Sequence, residues 1–256
     1  SVYLNDGGEF IQQSGDDIIS VGASAESTGS GSDIVIAGLG NDAVMIGNGN
    51  NIALGDEGLV AFQSGSTLRD RIESRYLDDA GLSPIDASGI AVGNDTIMTG
   101  AGDDLVIGGL GNDDIKAGNG VNIVLGDEGG ITFQAASGLR LRIASQYLDG
   151  SGRSALTAGG ASVGNDTIET GTGDDVIIGG LGSETTLAAG EGNNIVLGDE
   201  GFVKYQGQAQ TNGTSVLEEV SSRFVDNTAP SDPDPLSFVQ GGNETITTGA
   251  GDDLVI

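Results

Sequence analysis

The chain has 256 residues and a formal net charge of −29, with 47 glycines, four prolines and neither cysteine nor histidine. So acidic a chain would repel nucleic acid and anionic membrane surfaces. It also lacks the usual ligands of zinc, haem and iron–sulfur clusters, so oxygen-ligated Ca²⁺ or Mg²⁺ is the cation expected to offset the charge.

A long period of about 71 residues organises the chain. Its clearest markers are two short motifs that recur at nearly constant spacing. They are Gly-Asp-Glu-Gly at 55–58, 126–129 and 198–201, and Gly-Asn-Asp-Thr-Ile at 93–97 and 164–168, with a degenerate copy at 242–246. Recurrence at a fixed period of this length predicts a repeat architecture.

A period of nine residues lies within the long one. Residues 90–134 form five consecutive nonads, and residues 108–116 carry the full pattern G-G-x-G-x-D-x-U-x, where U is a large apolar residue. Glycine permits positive φ and a close approach of carbonyl groups, while the aspartate adds a hard anionic oxygen. The apolar eighth position would point into a narrow core.

These periods predict seven segments in one elongated domain. They are a worn first unit 1–63, an insert 64–89, a roll 90–134, an insert 135–160, a roll 161–206, an insert 207–238 and a roll 239–256. No apolar run approaches the ~18 residues of a membrane span. We expect the sequence, which opens at Ser1 and stops at Ile256, to be a segment of something longer or a processed product.

The nonads resemble RTX (hemolysin-type) calcium-binding repeats, and the 71-residue blocks are similar to tandem blocks of giant secreted bacterial repeat proteins. The resemblance implies an all-β solenoid, a right-handed parallel β-roll in which two nonads make one coil. Glycine–aspartate turns would then stack along two edges. It also implies Ca²⁺ as the cofactor and an extracellular or cell-surface location.

One face of such a roll would carry apolar outward residues, which a solvated sheet face should not. They are Leu105, Ile107, Ile123, Leu125, Val176, Ile178, Ile195 and Leu197. We expect each insert to leave a strand of the polar face, cover the apolar face and return to the polar face. Apolar residues at i, i+4 and i+8 predict one amphipathic α-helix per insert. The three sets are Leu68, Ile72, Tyr76; Leu139, Ile143, Tyr147; and Val216, Val220, Phe224.

The sixth nonad position is the main candidate metal ligand. It holds Asp33, Asp42, Asp95, Asp104, Asp113, Asp166, Asp175 and Asp253. Loops of one edge recur every 18 residues, so Asp95 should stack on Asp113. Two carboxylates at ~4 Å would repel by about 4 kcal/mol at an effective dielectric of 20. A Ca²⁺ ion would remove that repulsion, with glycine carbonyls completing its oxygen shell; Gly93, Gly102, Gly108 and Gly111 are the candidates.

Other pairings leave alternatives open. The second edge pairs Asp104 with Asn122, Asp33 with Asn51 and Asp175 with Asn194. Each of these pairs either binds calcium or belongs to a metal-free ladder of asparagine hydrogen bonds. Asp166 faces Glu184 beside an expected bulge, because residues 179–188 number ten rather than nine. Asp42 faces Ser24, which is no calcium anion, so that level is a candidate for an empty one.

The acidic turns at the junctions between roll and insert have two possible interpretations. Asp56-Glu57, Asp127-Glu128 and Asp199-Glu200 are either extra calcium ligands or solvated turns answered by arginines of the inserts. The repeated lattice of carboxylates, with no nucleophile elbow, gives little support for an enzyme.

We therefore expect a calcium-stabilised structural region, such as a fibre, surface layer or adhesin stalk, that stacks head-to-tail with like subunits or neighbouring repeats. The alternative is the RTX secretion and folding module of a secreted enzyme or toxin.

Overall fold

The computed structural model describes residues 2–4, 10–12, 16–21, 31–74, 93–145, 164–206, 215–222 and 243–256. These residues form 22 β-strands. The strands are β1 (Val2–Leu4), β2 (Phe10–Gln12), β3 (Ile18–Val21), β4 (Ile34–Ile36), β5 (Ala43–Ile46), β6 (Ile52–Leu54), β7 (Gly58–Phe62), β8 (Arg69–Ser74), β9 (Thr96–Met98), β10 (Leu105–Ile107), β11 (Asp114–Lys116), β12 (Ile123–Leu125), β13 (Gly129–Phe133), β14 (Arg140–Ser145), β15 (Thr167–Glu169), β16 (Val176–Ile178), β17 (Thr186–Ala189), β18 (Ile195–Leu197), β19 (Gly201–Tyr205), β20 (Leu217–Ser222), β21 (Ile246–Thr248) and β22 (Leu254–Val255). Within this part of the chain, no helix long and apolar enough to cross a membrane is found.

Two parallel seven-stranded sheets form the solenoid. The polar-face sheet has the order β21-β17-β15-β11-β9-β5-β3, and the apolar-face sheet has the order β22-β18-β16-β12-β10-β6-β4. Successive coil strands alternate between the sheets, so Ile97 pairs with Ile115 in one and Val106 with Val124 in the other. The expected all-β, parallel solenoid is confirmed.

The interior of the solenoid is filled by the eighth nonad positions. Ile97, Val106, Ile115 and Val124 are completely buried there. Side chains of neighbouring coils stack on one another, because strands of a sheet lie ~4.8 Å apart. A narrow core that receives one inward side chain from each strand explains why isoleucine, valine and leucine dominate and large rings do not.

A third sheet covers the apolar face. It is antiparallel, with the order β20-β19-β14-β13-β8-β7, and each 71-residue unit contributes one hairpin to it. Ile72, Ile131, Ile143 and Val203 of this covering sheet pack in one buried cluster with outward residues of the apolar-face sheet. The apolar face is thus buried, as its composition requires.

The expected helices are wrong. Ile72 and Ile143 lie in strands β8 and β14, and Val220 lies in β20. A spacing of four is a multiple of the strand period of two as well as close to one helical turn, so it placed these residues on one face under either structure. Instead, short turns at Gly65 and Gly138, where both glycines have positive φ, fold β8 back onto β7 and β14 back onto β13. Tyr76, Tyr147 and Phe224 lie outside the described residues.

The covering-sheet strands begin a few residues before the inserts that the sequence predicts. Gly129–Phe133, assigned to the fifth nonad of the roll 90–134, is a strand of the covering sheet. Gly58–Phe62 and Gly201–Tyr205 make the same departure in the neighbouring units. The insert thus follows an apolar-face strand, such as Ile123–Leu125, and not a polar-face strand. The next polar-face strand, Thr167–Glu169, then stacks directly on Asp114–Lys116.

Candidate metal centres at the solenoid corners

One corner of the solenoid carries an acidic ladder that we call the first ladder. Each carboxylate oxygen Oδ1 accepts a hydrogen bond from the backbone N–H of the preceding member. The donor–acceptor pairs are Asp17–Asp42 at 2.7 Å, and Asp42–Asp95, Asp95–Asp113 and Asp113–Asp166 at 2.8 Å. The expected stacking of Asp95 on Asp113 is present. The ladder also continues across the inserts, which the nonad spacing alone did not indicate.

The second oxygen of these carboxylates has no such partner. Oδ2 of Asp42, Asp113 and Asp166 is buried and accepts no hydrogen bond. A buried acceptor left unpaired costs about 1–3 kcal/mol, and more when it is charged. Unmatched oxygens therefore recur along this edge, at the levels of Asp42, Asp113 and Asp166.

Glycine carbonyls converge on the same oxygens. A Cβ atom placed on Gly108 would lie 2.5 Å from Oδ2 of Asp113 and 2.2 Å from the carbonyl oxygen of Gly126. The same cradle recurs one coil away, where a Cβ on Gly55 would meet Oδ2 of Asp95 at 2.2 Å and the Gly108 carbonyl at 2.3 Å. Only glycine leaves this space open. The oxygens that line it are the hard ligands that Ca²⁺ prefers, so the residues present fit the ion.

The other glycines of the motif have a different task. Gly111 has a φ of 134°, and a Cβ on it would lie 1.6 Å from the Gly93 carbonyl oxygen. Gly102 has a φ of 146° and would meet the Gly49 carbonyl oxygen at 2.1 Å. These positions allow one turn to stack closely on the next, and Gly93 likewise lies against the Gly40 carbonyl.

Burial and like-charge repulsion raise the pKa values of several first-ladder acids. Burial, followed by the charges of Asp113 and Asp42, raises the pKa of Asp95 to about 8. Burial and the Asp166 carboxylate raise the pKa of Asp113 well above its usual range. The pKa of Asp166 is raised by burial, then by Asp127 and by Glu184. Without a cation, burial and like-charge repulsion therefore disfavour the charged form of these groups.

The far end of the first ladder includes Glu184. Both of its carboxylate oxygens are buried without a hydrogen-bond partner. Burial, then Glu244 and Asp199, raise its pKa to about 8. The expected irregularity lies beside it, because the N–H groups of Thr185 and Thr186 both point at the Asp166 carbonyl, at 2.8 and 3.5 Å. At the other end, the expected pairing of Asp42 with Ser24 is wrong, because Asp17 occupies the neighbouring coil and donates its N–H to Asp42. Ser24 itself lies outside the described residues.

The opposite corner carries a second ladder in which aspartate and asparagine alternate. Its members are Asp33, Asn51, Asp104, Asn122, Asp175, Asn194 and Asp253, again joined by N–H to Oδ1 hydrogen bonds of 2.8–3.1 Å. Asn122 also donates from Nδ2 to the carbonyl oxygens of Gly118 and Gly120, at 2.9 and 3.2 Å.

The asparagine levels of the second ladder are therefore satisfied by the protein itself. Asn51 and Asn194 make the same pair of amide bonds to glycine carbonyls as Asn122. Their geometry favours the hydrogen-bonded asparagine ladder of the two alternatives. The aspartate levels differ, because Oδ2 of Asp104 and of Asp175 is buried without a partner.

The acidic junctions are buried at their first residue. Asp56 and Asp127 are each only 1% exposed, which excludes the solvated-turn interpretation for both. Oδ2 of Asp56 accepts a hydrogen bond from the Leu110 N–H at 2.8 Å, and Oδ2 of Asp127 accepts one from the Leu181 N–H at 2.6 Å. Each junction is thereby tied to the turn of the next coil.

Sequence reasoning missed the importance of the second junction residue. Glu128 is completely buried, neither of its carboxylate oxygens has a hydrogen-bond partner, and burial raises its pKa well above the usual range. Glu200 is its counterpart, with a pKa raised to about 8 by burial and by Asp199. The repeated Asp-Glu-Gly motif was the available signal, but it did not show which side chains face inward.

No group of three or more histidine, cysteine, aspartate or glutamate side chains converges as a ready-made metal cluster in the described ranges. A cation at these corners would therefore be shared between carboxylates of neighbouring coils and completed by backbone carbonyls. That donor set suits Ca²⁺, which takes six to eight oxygens in flexible geometry.

Comparison with protein families agrees with this donor set. The model of the RTX calcium-binding nonapeptide repeat (4 copies) matches residues 27–53, 92–129, 161–185 and 239–256. The paired strands of the covering hairpins lie outside these ranges, save Gly129 at the start of β13. Neither the comparison with curated proteins nor that with solved structures found a match.

Proposed function

Since the chain carries RTX calcium-binding nonapeptide repeats, we propose that it is a calcium-stabilised structural region of a secreted bacterial protein, serving as an extracellular fibre, surface layer or adhesin stalk. The candidate ligands are Asp42, Asp95, Asp113, Asp166 and Glu184 of the first ladder, with the carbonyls of Gly108 and Gly126. Asp104 and Asp175 of the second ladder and the junction acids Asp127 and Asp199 are further candidates.

The observation that carries the proposal is the row of unmatched carboxylate oxygens in the first ladder. Like charges repeat there from Asp42 to Asp166, buried and without a compensating side-chain cation among their hydrogen-bond partners. A divalent ion between coils would replace repulsion with bonding at each level. The same ion would tie consecutive units together, because the ladder crosses the inserts.

Calcium would then act as a folding switch. A chain of net charge −29 repels itself, and the like charges are brought closest together in the folded stack. An ion that binds only the folded state stabilises it as the logarithm of its free concentration. Low calcium would keep the chain open, and calcium outside the cell would drive it to fold.

Far-ultraviolet circular dichroism during a calcium titration from EGTA tests this switch. We expect the β-sheet signal to appear with Ca²⁺ and to be much weaker with the same concentration of Mg²⁺, which demands a smaller, octahedral shell. A β-sheet signal of equal strength in EGTA would refute the switch.

The covering sheet supports a structural role over that of a bare secretion tail. Three units share one continuous sheet, so each hairpin depends on its neighbours for edge pairing. The ends of the solenoid also expose apolar strands; Ile18 is 81% and Val255 46% exposed. We propose that further coils, from the same chain or from another protomer, stack head-to-tail on these edges. We propose no catalytic role.

Light scattering tests the form of stacking that joins protomers. Association in Ca²⁺ should grow with protein concentration and should decrease when Ile18 and Val255 are replaced by lysine, which blunts a strand edge. A wild-type chain that stays monomeric at every concentration in Ca²⁺ would exclude stacking between protomers.

A further inference from the structure

A groove of about 500 Å³ lies where the covering sheet meets the second ladder. Its solenoid wall is made of corner residues that belong to five successive coils, namely Asn50, Asp103, Val121, Asp174 and Asn193. Coils repeat every ~4.8 Å, so this wall is about 19 Å long. A groove of this length along the axis fits a short stretch of a linear molecule better than a compact one.

The covering-sheet wall places two arginines in the same groove. Arg69 and Arg140 occupy equivalent positions of neighbouring hairpins, where each follows the turn and pairs across its hairpin with a phenylalanine, Phe62 or Phe133. Burial and the Arg140 guanidinium lower the pKa of Arg69. The two cations are thus close enough to repel each other.

Neither arginine has an ion-pair partner among the described residues, although the chain has 38 acidic residues and only nine basic ones. Other cations of the covering sheet are engaged. Arg71 lies 3.5 Å from Glu73, Lys204 lies 2.8 Å from Glu218, and Arg142 stacks 4.7 Å from the ring centre of Phe202. Two neighbouring guanidinium groups without a carboxylate partner in the described part of so acidic a chain point to an anionic ligand.

The remaining lining specifies what kind of anion. Leu139, Ile195 and Tyr205 are half-buried and offer apolar and aromatic surface. Opposite the arginines, Asp103 and Asp174 are exposed hydrogen-bond acceptors. Acceptors suit hydroxyl donors, the apolar surface suits a ring face, and the guanidinium groups suit carboxylates. A peptide with a carboxylate on every residue would be repelled by these two aspartates.

We propose that this groove binds an acidic oligosaccharide, with ring carboxylates on Arg69 and Arg140 and hydroxyl groups on Asp103 and Asp174. The groove would give the calcium-stabilised stalk a direct means of attachment to an anionic polysaccharide. Binding does not depend on which corners hold calcium, provided that the chain is folded.

Isothermal titration calorimetry in Ca²⁺ tests the proposal with a hyaluronan tetrasaccharide, which carries two glucuronates. We expect binding by the wild-type chain, a loss of at least tenfold in affinity for the Arg69→Gln/Arg140→Gln double variant, and no more than a twofold change for Arg71→Gln. Circular dichroism and thermal unfolding in Ca²⁺ establish that the variants are folded. The neutral chitin tetrasaccharide should bind at least tenfold more weakly than the acidic one.

Several outcomes would overturn the proposal. They are no binding by the wild-type chain at millimolar ligand, equal affinity for the neutral sugar, a loss for Arg71→Gln as large as that for the double variant, and tighter binding of tetraglutamate than of the sugar. If the double variant unfolds, the single variants Arg69→Lys and Arg140→Lys decide. Each keeps the charge but loses the guanidinium fork, so an unchanged affinity in both would refute recognition by the guanidinium groups.

Discussion

At the scale of single residues, first-ladder carboxylates such as Asp113 divide their two oxygens between two tasks. Oδ1 of Asp113 fastens one coil to the next through the Asp95 N–H, while Oδ2 is held in a glycine-lined space without a hydrogen bond. The first task needs only a neutral acceptor. The second needs a cation or a proton, because burying an unpaired charge is costly.

Replacing Asp113 by asparagine separates these tasks. The amide oxygen can still accept the Asp95 N–H, but the negative charge is lost. In EGTA the variant should be more stable than the wild type, since repulsion by Asp95 and Asp166 is relieved. In saturating Ca²⁺ it should be less stable, by about 1–3 kcal/mol, because a charged ligand is missing. The strength of the β-sheet circular dichroism signal in EGTA and the thermal unfolding temperature in Ca²⁺ measure the two shifts.

Asp103→Asn is the matched control, because this substitution makes the same chemical change at an exposed corner of the solenoid. Its stability should change by less than about 0.5 kcal/mol in either buffer. A shift of the same sign for Asp113→Asn in EGTA and in Ca²⁺ would contradict the two-task account.

At the scale of the elements, the covering hairpin is what lets an apolar solenoid face exist in water. Each strand of the covering sheet brings an isoleucine or valine against the apolar-face sheet, buried in the four inner strands and partly buried in the edge strands β7 and β20. Neighbouring hairpins pair edge to edge. A helix would have satisfied its own backbone hydrogen bonds. The strands satisfy theirs through the adjacent units, so the repeats are coupled through the cover as well as through the coils.

Truncating Ile143 tests that coupling. Ile143 is completely buried between the covering and apolar-face sheets, so Ile143→Ala should lower the free energy of unfolding by about 2–5 kcal/mol. Met98, which is 38% exposed on the polar-face sheet, gives the control, and Met98→Ala should cost less than about 1 kcal/mol. Urea unfolding in Ca²⁺ measures both, and equal costs would show that the cover is not a packed core.

At the scale of the whole molecule, net charge and proton binding are linked. Asp95, Glu184 and Glu200 each have a pKa of about 8 in the cation-free fold, whereas the same groups titrate near 4 when the chain is unfolded. Between these values the folded state holds protons that the unfolded state releases. Stability without calcium must therefore fall as the pH rises.

We expect the folded fraction without calcium to be greatest near pH 4–5 and to fall until the pH has passed about 8. In Ca²⁺ the ion displaces these protons, so the stabilisation gained from Ca²⁺ should grow over the same interval. Far-ultraviolet circular dichroism at one-unit steps from pH 4 to 9, with and without Ca²⁺, measures both trends. A cation-free stability that rises with pH would show that the ladder acids are not held protonated.

The sequence by itself determined the coil. A nine-residue period with glycine at fixed positions resembles RTX repeats, and the stacking that this resemblance implies set Asp95 on Asp113 and Asp104 on Asn122 before any coordinates. It also indicated that the sheet face around Ile107 and Leu125 must be covered, because a large apolar surface is unfavourable in contact with water.

Only the tertiary structure decided that the apolar face is covered by a β-sheet and that the ladders continue from one 71-residue unit to the next. The spacing of Leu68 and Ile72 is compatible with both a helix and a strand. Arg69–Ser74 forms a strand because its two edges pair with Gly58–Phe62 and with Gly129–Phe133. Those partners are 71 residues apart in sequence. Local periodicity cannot report such contacts, because they form only when whole units stack.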